Sequence, residues 1–510
     1  MIKNVKIYSV EEGATGVLYL TDSDGNIEVF QPNCDLDKTQ KYLYQYHECL
    51  TSNNIKIKNS FTGKRVDWYP STISMLYWQF FYQYVKYESL IEMWKREEVY
   101  FKDIAPGRFR NLIQQLELKT IKYNYFNNMI RSVVSSLVMI RNNLLVKFGK
   151  EIVLLLGQSL DDFRTTEIYN NLNLNFSVVR LVPLKDLKIS DILFNSSLCA
   201  LPLQHSSVGV ENLFDIKLKT DTPWVFRNAL NYTNKIISQH LSSYNLLRKY
   251  FSNKEYKLLV GLDDCNYVYP ALYAAQENKI KCFGIQHGAY VQRHEAYVMN
   301  CIGYHQWYDY LLVWGDYWKK VFLENNKIFP ENNVLISTNK HNYQYEILAK
   351  NNQIKSILIP YEFLADTILI GRFIEEFYAK GFKIYFKPRS DESIDDQIEA
   401  YRVKDAENKI NIVKDITPEI MSNIDIIAGT MTTLLYDLLP YNKPIWILKT
   451  PFRLQEDMVD NGLARMINWN DLDNINEIYC KDIKKNISID KKIFSFGKSV
   501  SDVINEMQGF

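Results

Sequence analysis

Short runs of apolar and β-branched residues recur along the chain from about residue 150, and segments with helical periodicity separate them. Each run is long enough for a strand but too short for a helix. Continuous apolar strands that alternate with helices are typical of parallel sheets covered on both faces. The runs that predict strands are EIVLLLG (151–157), SVVRLVP (177–183), YKLLVGLDD (256–264), KCFGIQHG (281–288), LLVWGD (311–316), NVLIST (333–338), SILIPY (356–361), FKIYFKP (382–388), INIVKD (410–415), DIIAGT (425–430) and PIWILK (444–449).

The helices between these runs carry clear start and stop signals. The segment FLADTILIGRFIEEFYAKG (363–381) has apolar residues at helical spacing and ends at Gly381, a common helix terminator. Thr417 is a candidate N-cap, with Pro418 at the first helical position. The region from about 326 to 490 is therefore predicted to be a compact, doubly wound α/β domain.

The first part of the chain is less regular. It opens with a strand, KNVKIYSV, a glycine-containing loop, EEGATG, and a second strand, VLYL. Residues 40–150 are mostly helical in pattern, and a second α/β unit follows them. We expect an α/β protein with a Rossmann-like N-terminal domain (1–325) that carries this helical insertion, a C-terminal domain (326–490) and a final helix (491–510) that packs back.

Composition narrows the class of protein. A chain of 510 residues predicts two or three domains, and its 60 basic and 59 acidic residues leave almost no net charge. That balance argues against a general nucleic-acid binder. Seven cysteines without a CxxC pair favour a reduced, cytoplasmic setting. The aromatic segment 75–94 is interrupted by charged residues and glutamines, so it predicts a buried or amphipathic helix rather than a membrane span.

Polar residues directly after strands are the candidates for chemistry, because ligands of open parallel sheets bind beyond the carboxyl ends of the strands. Asp263 and Asp264 follow the run LLVGL, where one of them can act as a general base or cap the next helix. Gln286, His287 and Gly288 follow the next strand. An amide can bind sugar hydroxyls, an imidazole can contact a phosphate or move a proton, and a glycine lets the backbone bend towards a ligand.

A second pair of strand ends carries groups suited to phosphate. Lys387 and Arg389 flank a proline after FKIYF, and two cations held there suit a pyrophosphate, although a solvated surface turn is the alternative. The stretch IIAGTMTTLLYD predicts a strand, then a turn with three threonines at a helix start. Hydroxyls and free backbone N–H groups at such a turn predict a phosphate site. Its candidate donor-binding residues are Gly429, Thr430, Thr432, Thr433 and Asp437, the last lying one helical turn on and suited to a ribose hydroxyl.

Several common signatures are missing from the chain. It has no GxxxxGK[ST] loop, no GxGxxG after a strand and no His/Cys/carboxylate spacing typical of zinc. Phosphate recognition is therefore expected to rest on cations and helix ends, with no metal and no cofactor.

The ordered motifs LDD, FGIQHG, LVWGDYWKK, KIYFKPR and IDIIAGTMTTLLYDLLPYNKPIWIL resemble bacterial capsule and lipopolysaccharide glycosyltransferases of the GT-B fold. The likeness is to the branch of capsular polysaccharide synthesis proteins and Kdo transferases, and it covers roughly residues 255–470. It implies two Rossmann-like domains that face each other across a cleft, with the nucleotide-sugar donor in the C-terminal one. Where these families often have Lys-Pro-His-Pro, this chain has Lys-Pro-Arg-Ser at 387–390.

The resemblance also implies roles for single residues. Asp263 or Asp264 becomes the base, His287 lies near the donor phosphate, and Lys387 contacts phosphate. The threonines at 430–433 form the donor-phosphate loop and Asp437 contacts the ribose.

The expected activity is transfer of a sugar from a nucleotide-sugar donor, CMP- or UDP-linked, to a glycan or lipid-linked glycan acceptor. The alternatives are a nucleotide-sugar 2-epimerase or glycerophosphotransferase of the same fold, or a non-catalytic glycan-assembly subunit. Because acceptors of this pathway are lipid-linked, the expected location is cytoplasmic and peripheral on the inner face of the membrane.

Overall fold

The computed structural model describes most of the chain, in eighteen segments. These are residues 5–13, 16–52, 58–59, 66–117, 151–157, 163–183, 198–201, 218–252, 256–263, 268–286, 288–289, 308–325, 329–337, 355–362, 365–389, 393–450, 455–483 and 498–508.

The N-terminal region is built on a small mixed sheet. Its strands are β1 (Lys6–Glu12), β2 (Leu18–Thr21), β3 (Ile27–Phe30) and β6 (Val99–Ile104), in the order β3-β2-β1-β6. A two-residue ladder, β4 (Lys58–Asn59) with β5 (Val66–Asp67), lies between them in the chain. The first two strands were predicted, whereas β6 falls inside the stretch expected to be helical.

The helices of this region bury the aromatic segment. They are α1 (Leu36–Ser52), α2 (Tyr82–Lys95) and α3 (Arg108–Leu116). The helical path into α2 is continuous and changes pitch, from 3₁₀ at Pro70–Thr72 through α at Ile73–Met75 to π at Leu76–Phe81. Tyr77, Phe80 and Phe81 have no exposed surface, so the segment 75–94 is a core helix, as its polar interruptions predicted. Within the described part of the chain, no helix has both the length and the apolar character needed to cross a bilayer.

A seven-stranded, wholly parallel sheet follows. Its strands are β7 (Ile152–Leu156), β8 (Ser177–Pro183), β9 (Leu198–Leu201), β10 (Tyr256–Leu262), β11 (Lys281–Ile285), β12 (Tyr310–Val313) and β13 (Val334–Ile336). Their order is β13-β12-β11-β10-β7-β8-β9, so the first strand of the unit lies beside the fourth. The described helices of this unit are α4 (Phe163–Asn173), α5 (Trp224–Phe251), α6 (Val268–Glu277) and α7 (Asp316–Asn325).

The second parallel sheet has six strands in the order β16-β15-β14-β17-β18-β19. They are β14 (Ser356–Pro360), β15 (Lys383–Lys387), β16 (Ile410–Ile412), β17 (Ile426–Gly429), β18 (Ile445–Leu448) and β19 (Arg465–Ile467). The helices are α8 (Thr367–Ala379), α9 (Ile394–Tyr401), α10 (Ala406–Lys409), α11 (Pro418–Ser422), α12 (Leu434–Asp437), α13 (Glu456–Asp460), α14 (Ile475–Asp482) and, at the end, α15 (Val500–Gln508). The side chain of Thr417 accepts the N–H of Ile420, as expected of an N-cap.

Both sheets have the strand order 3-2-1-4-5-6 of a doubly wound unit, the first with one strand added beyond the sixth. The α/β class and the two Rossmann-like units of the GT-B prediction are therefore confirmed. The first sheet continues past the predicted boundary at 325/326, because β13 pairs with β12. Val500, Val503 and Ile504 of α15 belong to the same apolar core as the first unit.

Candidate functional site

Each doubly wound sheet has a switch point, where the strand order reverses. The loops that follow the two strands there leave in opposite directions, and a crevice forms at the carboxyl ends of those strands. In the first sheet this point lies between β7 and β10, and Asp263 is the residue directly after β10. Asp263 is buried, and its backbone N–H donates to the carbonyl of Ile285 at 3.0 Å. Asp264 and His287 lie outside the described residues.

Gln286 is buried at the end of β11 and joins two strand ends. Its Nε2 donates to the carbonyl of Gly288 at 2.9 Å, and its Oε1 accepts the backbone N–H of Trp314 at 3.0 Å. The indole N–H of Trp314 donates to the Gln286 carbonyl at 2.8 Å. Gln286 was expected to bind a ligand. In the structure its side-chain amide instead binds the backbone of Gly288 and Trp314 and holds the two strand ends together.

The turn at Gly288 lies against the second unit. A Cβ at Gly288 would be 3.7 Å from Cγ2 of Thr433, an ordinary contact. Thr433 follows β17 and Gly288 follows β11, so the carboxyl ends of the two sheets meet at this point.

The two cations predicted after β15 are held at the carboxyl end of the second sheet. Lys387 is half-buried; burial lowers the pKa of its ammonium, and the charge of Asp415 opposes that shift. Its Nζ donates to the carbonyl of Pro388 at 2.8 Å. The backbone of Arg389 is fixed by the buried Gln397, whose amide accepts its N–H and donates to its carbonyl, both at 2.9 Å.

Glu362 occupies the switch point of the second sheet, between β14 and β17. Its Oε1 accepts the backbone N–H groups of Thr430 at 2.9 Å, Met431 at 2.9 Å and Thr432 at 3.0 Å. Its Oε2 accepts from the N–H of Thr430 at 2.8 Å and from the hydroxyl of the same residue. Burial raises the pKa of this carboxyl, and the hydrogen bonds from the turn oppose the rise.

This carboxylate changes what the threonine turn can do. The N–H groups expected to be free for a donor phosphate are already bound in the structure, and Thr430 has no exposed surface. Gly429 lies beneath the carboxylate, where a Cβ would be 2.8 Å from Oε1. Thr432 and Thr433 are partly exposed, and the N–H of Asp437 donates to the Thr433 carbonyl at 3.2 Å, one helical turn on, as predicted.

Sequence reasoning missed Glu362 and Gln397. Glu362 comes two residues after the strand SILIP, so the rule that singled out polar residues after strands applied to it as well. Gln397 lies on α9, and nothing local in the sequence indicates that its side chain reaches Arg389. Among the described residues there is no group of three or more His, Cys, Asp or Glu side chains placed to hold a metal ion.

The two units also meet through side chains outside the strand ends. Tyr317 of α7 donates its hydroxyl to Oδ2 of Asp457 at 3.4 Å, and Tyr436 of α12 donates to the same oxygen at 2.5 Å. Asn461 donates its Nδ2 to the Tyr317 hydroxyl at 3.2 Å. Burial raises the pKa of Asp457 from 3.8 to about 6, although the hydrogen bonds from the Tyr436 and Tyr317 hydroxyls lower it.

No protein-family model and no curated protein matches the chain. Among solved structures it is similar to MurG of Acinetobacter baumannii, with 12% identity and a TM-score of 0.46, over 71% of this chain and 100% of that one. It is also similar to the lipopolysaccharide outer core galactosyltransferase WaaB, with 11% identity and a TM-score of 0.42, over 70% of this chain and 98% of that one. A third similar structure is the UDP-GlcNAc 2-epimerase of Neisseria meningitidis bound to UDP-GlcNAc. It has 12% identity and a TM-score of 0.44, over 70% of this chain and 100% of that one. Because these TM-scores are below 0.5, the fold assignment is based on the strand order of the two sheets and not on these similarities.

Proposed function

We propose that this protein is a glycosyltransferase that moves a sugar from a nucleotide-sugar donor to a surface polysaccharide, either a capsule or a lipopolysaccharide O-chain. The observation that carries the proposal is the meeting of the two sheets at their carboxyl ends, with Gly288 against Thr433. The acceptor is proposed to bind at the carboxyl end of the first sheet and the donor at that of the second. The CMP- or UDP-linked nature of the donor is part of the proposal.

On the acceptor side, the base is Asp263 or Asp264. Asp263 supports this role by its place at the switch point of the first sheet. A carboxylate there can take the proton of an acceptor hydroxyl as it attacks the donor sugar. His287, in the next turn along the chain, is proposed to lie near the donor phosphate.

On the donor side, Lys387 and Arg389 are proposed to bind the phosphates of the nucleotide. Two cations at the carboxyl end of β15 stabilise the negative charge that develops on the departing nucleotide, a large catalytic term. Thr432 and Thr433 add hydroxyls at the same edge, and Asp437 contacts the ribose. We propose that the reaction needs no metal ion, because these groups supply the positive charge.

The acceptor is proposed to be lipid-linked, which would bring the enzyme to the inner face of the cytoplasmic membrane as a peripheral protein. The role of Asp263 can be tested separately from that of the cations. Asp263→Asn should retain nucleotide binding and lose about 10²-fold or more in transfer rate. Unchanged transfer would leave Asp264 as the base.

The experiment that tests the function is calorimetric titration of the purified protein with CMP, CDP, UDP, GDP and dTDP. One nucleotide should bind the wild type and bind Lys387→Ala about tenfold more weakly, since one charged hydrogen bond is lost. The matched control is Lys383→Ala, at the opposite end of the same strand, where the side chain is exposed and lies over the Tyr385 ring. Binding of none of the five nucleotides would overturn the proposal and favour a non-catalytic assembly subunit.

A further inference from the structure

Glu362 is held entirely by hydrogen-bond donors. The carboxylate receives three successive backbone N–H groups, from Thr430, Met431 and Thr432, together with the Thr430 hydroxyl. The three N–H groups can only donate, so they favour the ionised form of the carboxyl against its burial, and the Thr430 hydroxyl can donate to that form. Three consecutive N–H groups that converge on one anion form a nest, the backbone device that binds phosphates in many proteins.

The nest also lies where a parallel sheet of this kind binds phosphate. It lies between β14 and β17, the switch point of the second sheet, where doubly wound units hold the phosphates of their nucleotides. Here an internal carboxylate fills that place. Gly429 is adapted to it, because any Cβ would lie within 2.8 Å of Oε1.

The carbonyl groups of the same turn also accept hydrogen bonds, in this case from Gln455. Gln455 is buried; its backbone N–H donates to the Thr430 carbonyl at 3.3 Å and its Nε2 donates to the Met431 carbonyl at 2.7 Å. The Met431 side chain packs against the core of the first unit. The turn is thus fixed through its N–H groups by Glu362, through its carbonyls by Gln455 and through Met431 by the other unit.

We infer that Glu362 is a positioning residue, a built-in anion that occupies the phosphate place of the switch-point nest. It sets the turn so that Thr433 faces the Gly288 turn, and it directs donor phosphates outward to Lys387 and Arg389. The effect on the donor rests on the proposed function. The occupation of the nest by an anion does not.

The test compares Glu362→Ala and Glu362→Gln with Asp425→Asn in the full-length protein. Asp425 is the matched control: it is also buried, and its Oδ2 accepts the Ser356 N–H at 3.1 Å and the Tyr479 hydroxyl at 3.0 Å. It precedes β17, at the amino end of the sheet, away from the nest. Thermal unfolding is followed in sodium acetate and in sodium chloride of equal ionic strength.

We expect acetate to raise the Tm of Glu362→Ala more than chloride does, because a small carboxylate binds the vacated nest of the folded state only. Wild type and Asp425→Asn should show no such difference. Nucleotide affinity should fall about tenfold or more in both Glu362 variants and recover with acetate in Glu362→Ala, since a displaced turn misplaces the groups that contact the donor. Asp425→Asn should lose Tm without losing nucleotide affinity.

Each alternative result has a distinct meaning. Equal acetate responses in Glu362→Ala and Asp425→Asn would overturn the nest assignment. Nucleotide affinity in Glu362→Gln equal to that of Asp425→Asn would reduce Glu362 to a structural residue, and this comparison decides the matter alone if Glu362→Ala does not fold. Acetate binding to Glu362→Ala, combined with no nucleotide binding by the wild type, would keep the nest assignment and overturn the proposed function.

Discussion

The indole ring of Trp318 packs edge-on against the phenol ring of Tyr436, with ring centroids 4.7 Å apart and planes at 64°. Trp318 lies on α7 of the first unit and Tyr436 on α12 of the second, and neither has any exposed surface. The same apolar cluster contains Leu311 and Val313 from one sheet and Ile427 from the other. The two units therefore share a continuous core rather than a wet interface.

Trp318→Ala should lower the free energy of unfolding by about 3–5 kcal/mol, the range for removing a buried aromatic side chain. Because the ring is shared, thermal unfolding should show loss of stability in both units together. Trp469→Ala is the control, since that ring is 44% exposed. A Trp318→Ala protein with the stability of the Trp469→Ala protein would contradict a shared core.

Asp457 should make stability depend on pH. Its folded pKa, raised by burial from 3.8 to about 6, means that folding favours the neutral acid. The stabilisation is present below about pH 4 and is lost as the pH rises through about 6, by at most about 3 kcal/mol. Asp457→Asn stays neutral, so its Tm relative to wild type should rise between pH 4 and pH 7.

The measurement is a series of thermal unfolding curves across that pH range. Asp460→Asn, an exposed position on the same helix, serves as the control and should follow the wild type throughout. If Asp457→Asn and wild type change in parallel with pH, the carboxylate between the two tyrosines is not buried as described.

Gly371→Ala should be destabilising although alanine is the better helix former. Helix propensity alone favours alanine by up to about 1 kcal/mol. However, a Cβ at this position of α8 would lie 1.8 Å from the carbonyl oxygen of Tyr401, a backbone atom at the end of α9. We expect a net loss of about 1–3 kcal/mol from the forced shift of the two helices. Urea unfolding, with the exposed neighbour Arg372→Ala as control, decides the sign.

Gln286→Leu should cost about 2–4 kcal/mol. The substitution leaves the buried Trp314 N–H and Gly288 carbonyl without their side-chain partner, and each such loss costs about 1–3 kcal/mol. Thermal unfolding measures the effect. Gln397→Leu is the matched comparison on the donor side, where the amide brackets Arg389. A small loss in Gln286→Leu would mean that water replaces the amide at the strand ends.

Local signals in the sequence predicted most of the parallel strands. All eleven apolar runs from residue 151 onward contain a strand, because strands such as β7, β17 and β18 are buried along their whole length and therefore consist of consecutive apolar residues. The parallel strands that were not predicted are β6, β9 and β19, and the short antiparallel strands β3, β4 and β5 were not predicted either. In β6 and β19 few apolar residues follow one another, whereas β9 is an apolar run, LCAL, of only four residues.

The sequence by itself determined the α/β class, the strand ends and the places where polar groups such as Asp263 and Lys387 follow strands. These features depend on side chains within a few residues of one another. Only the tertiary structure decided that Glu362 meets the turn at 430–432, 68 residues away in the chain. Strand order brings β14 beside β17, and that order is set by packing and crossovers rather than by any local pattern. For the same reason, groups that looked free in the sequence are bound to a carboxylate in the fold.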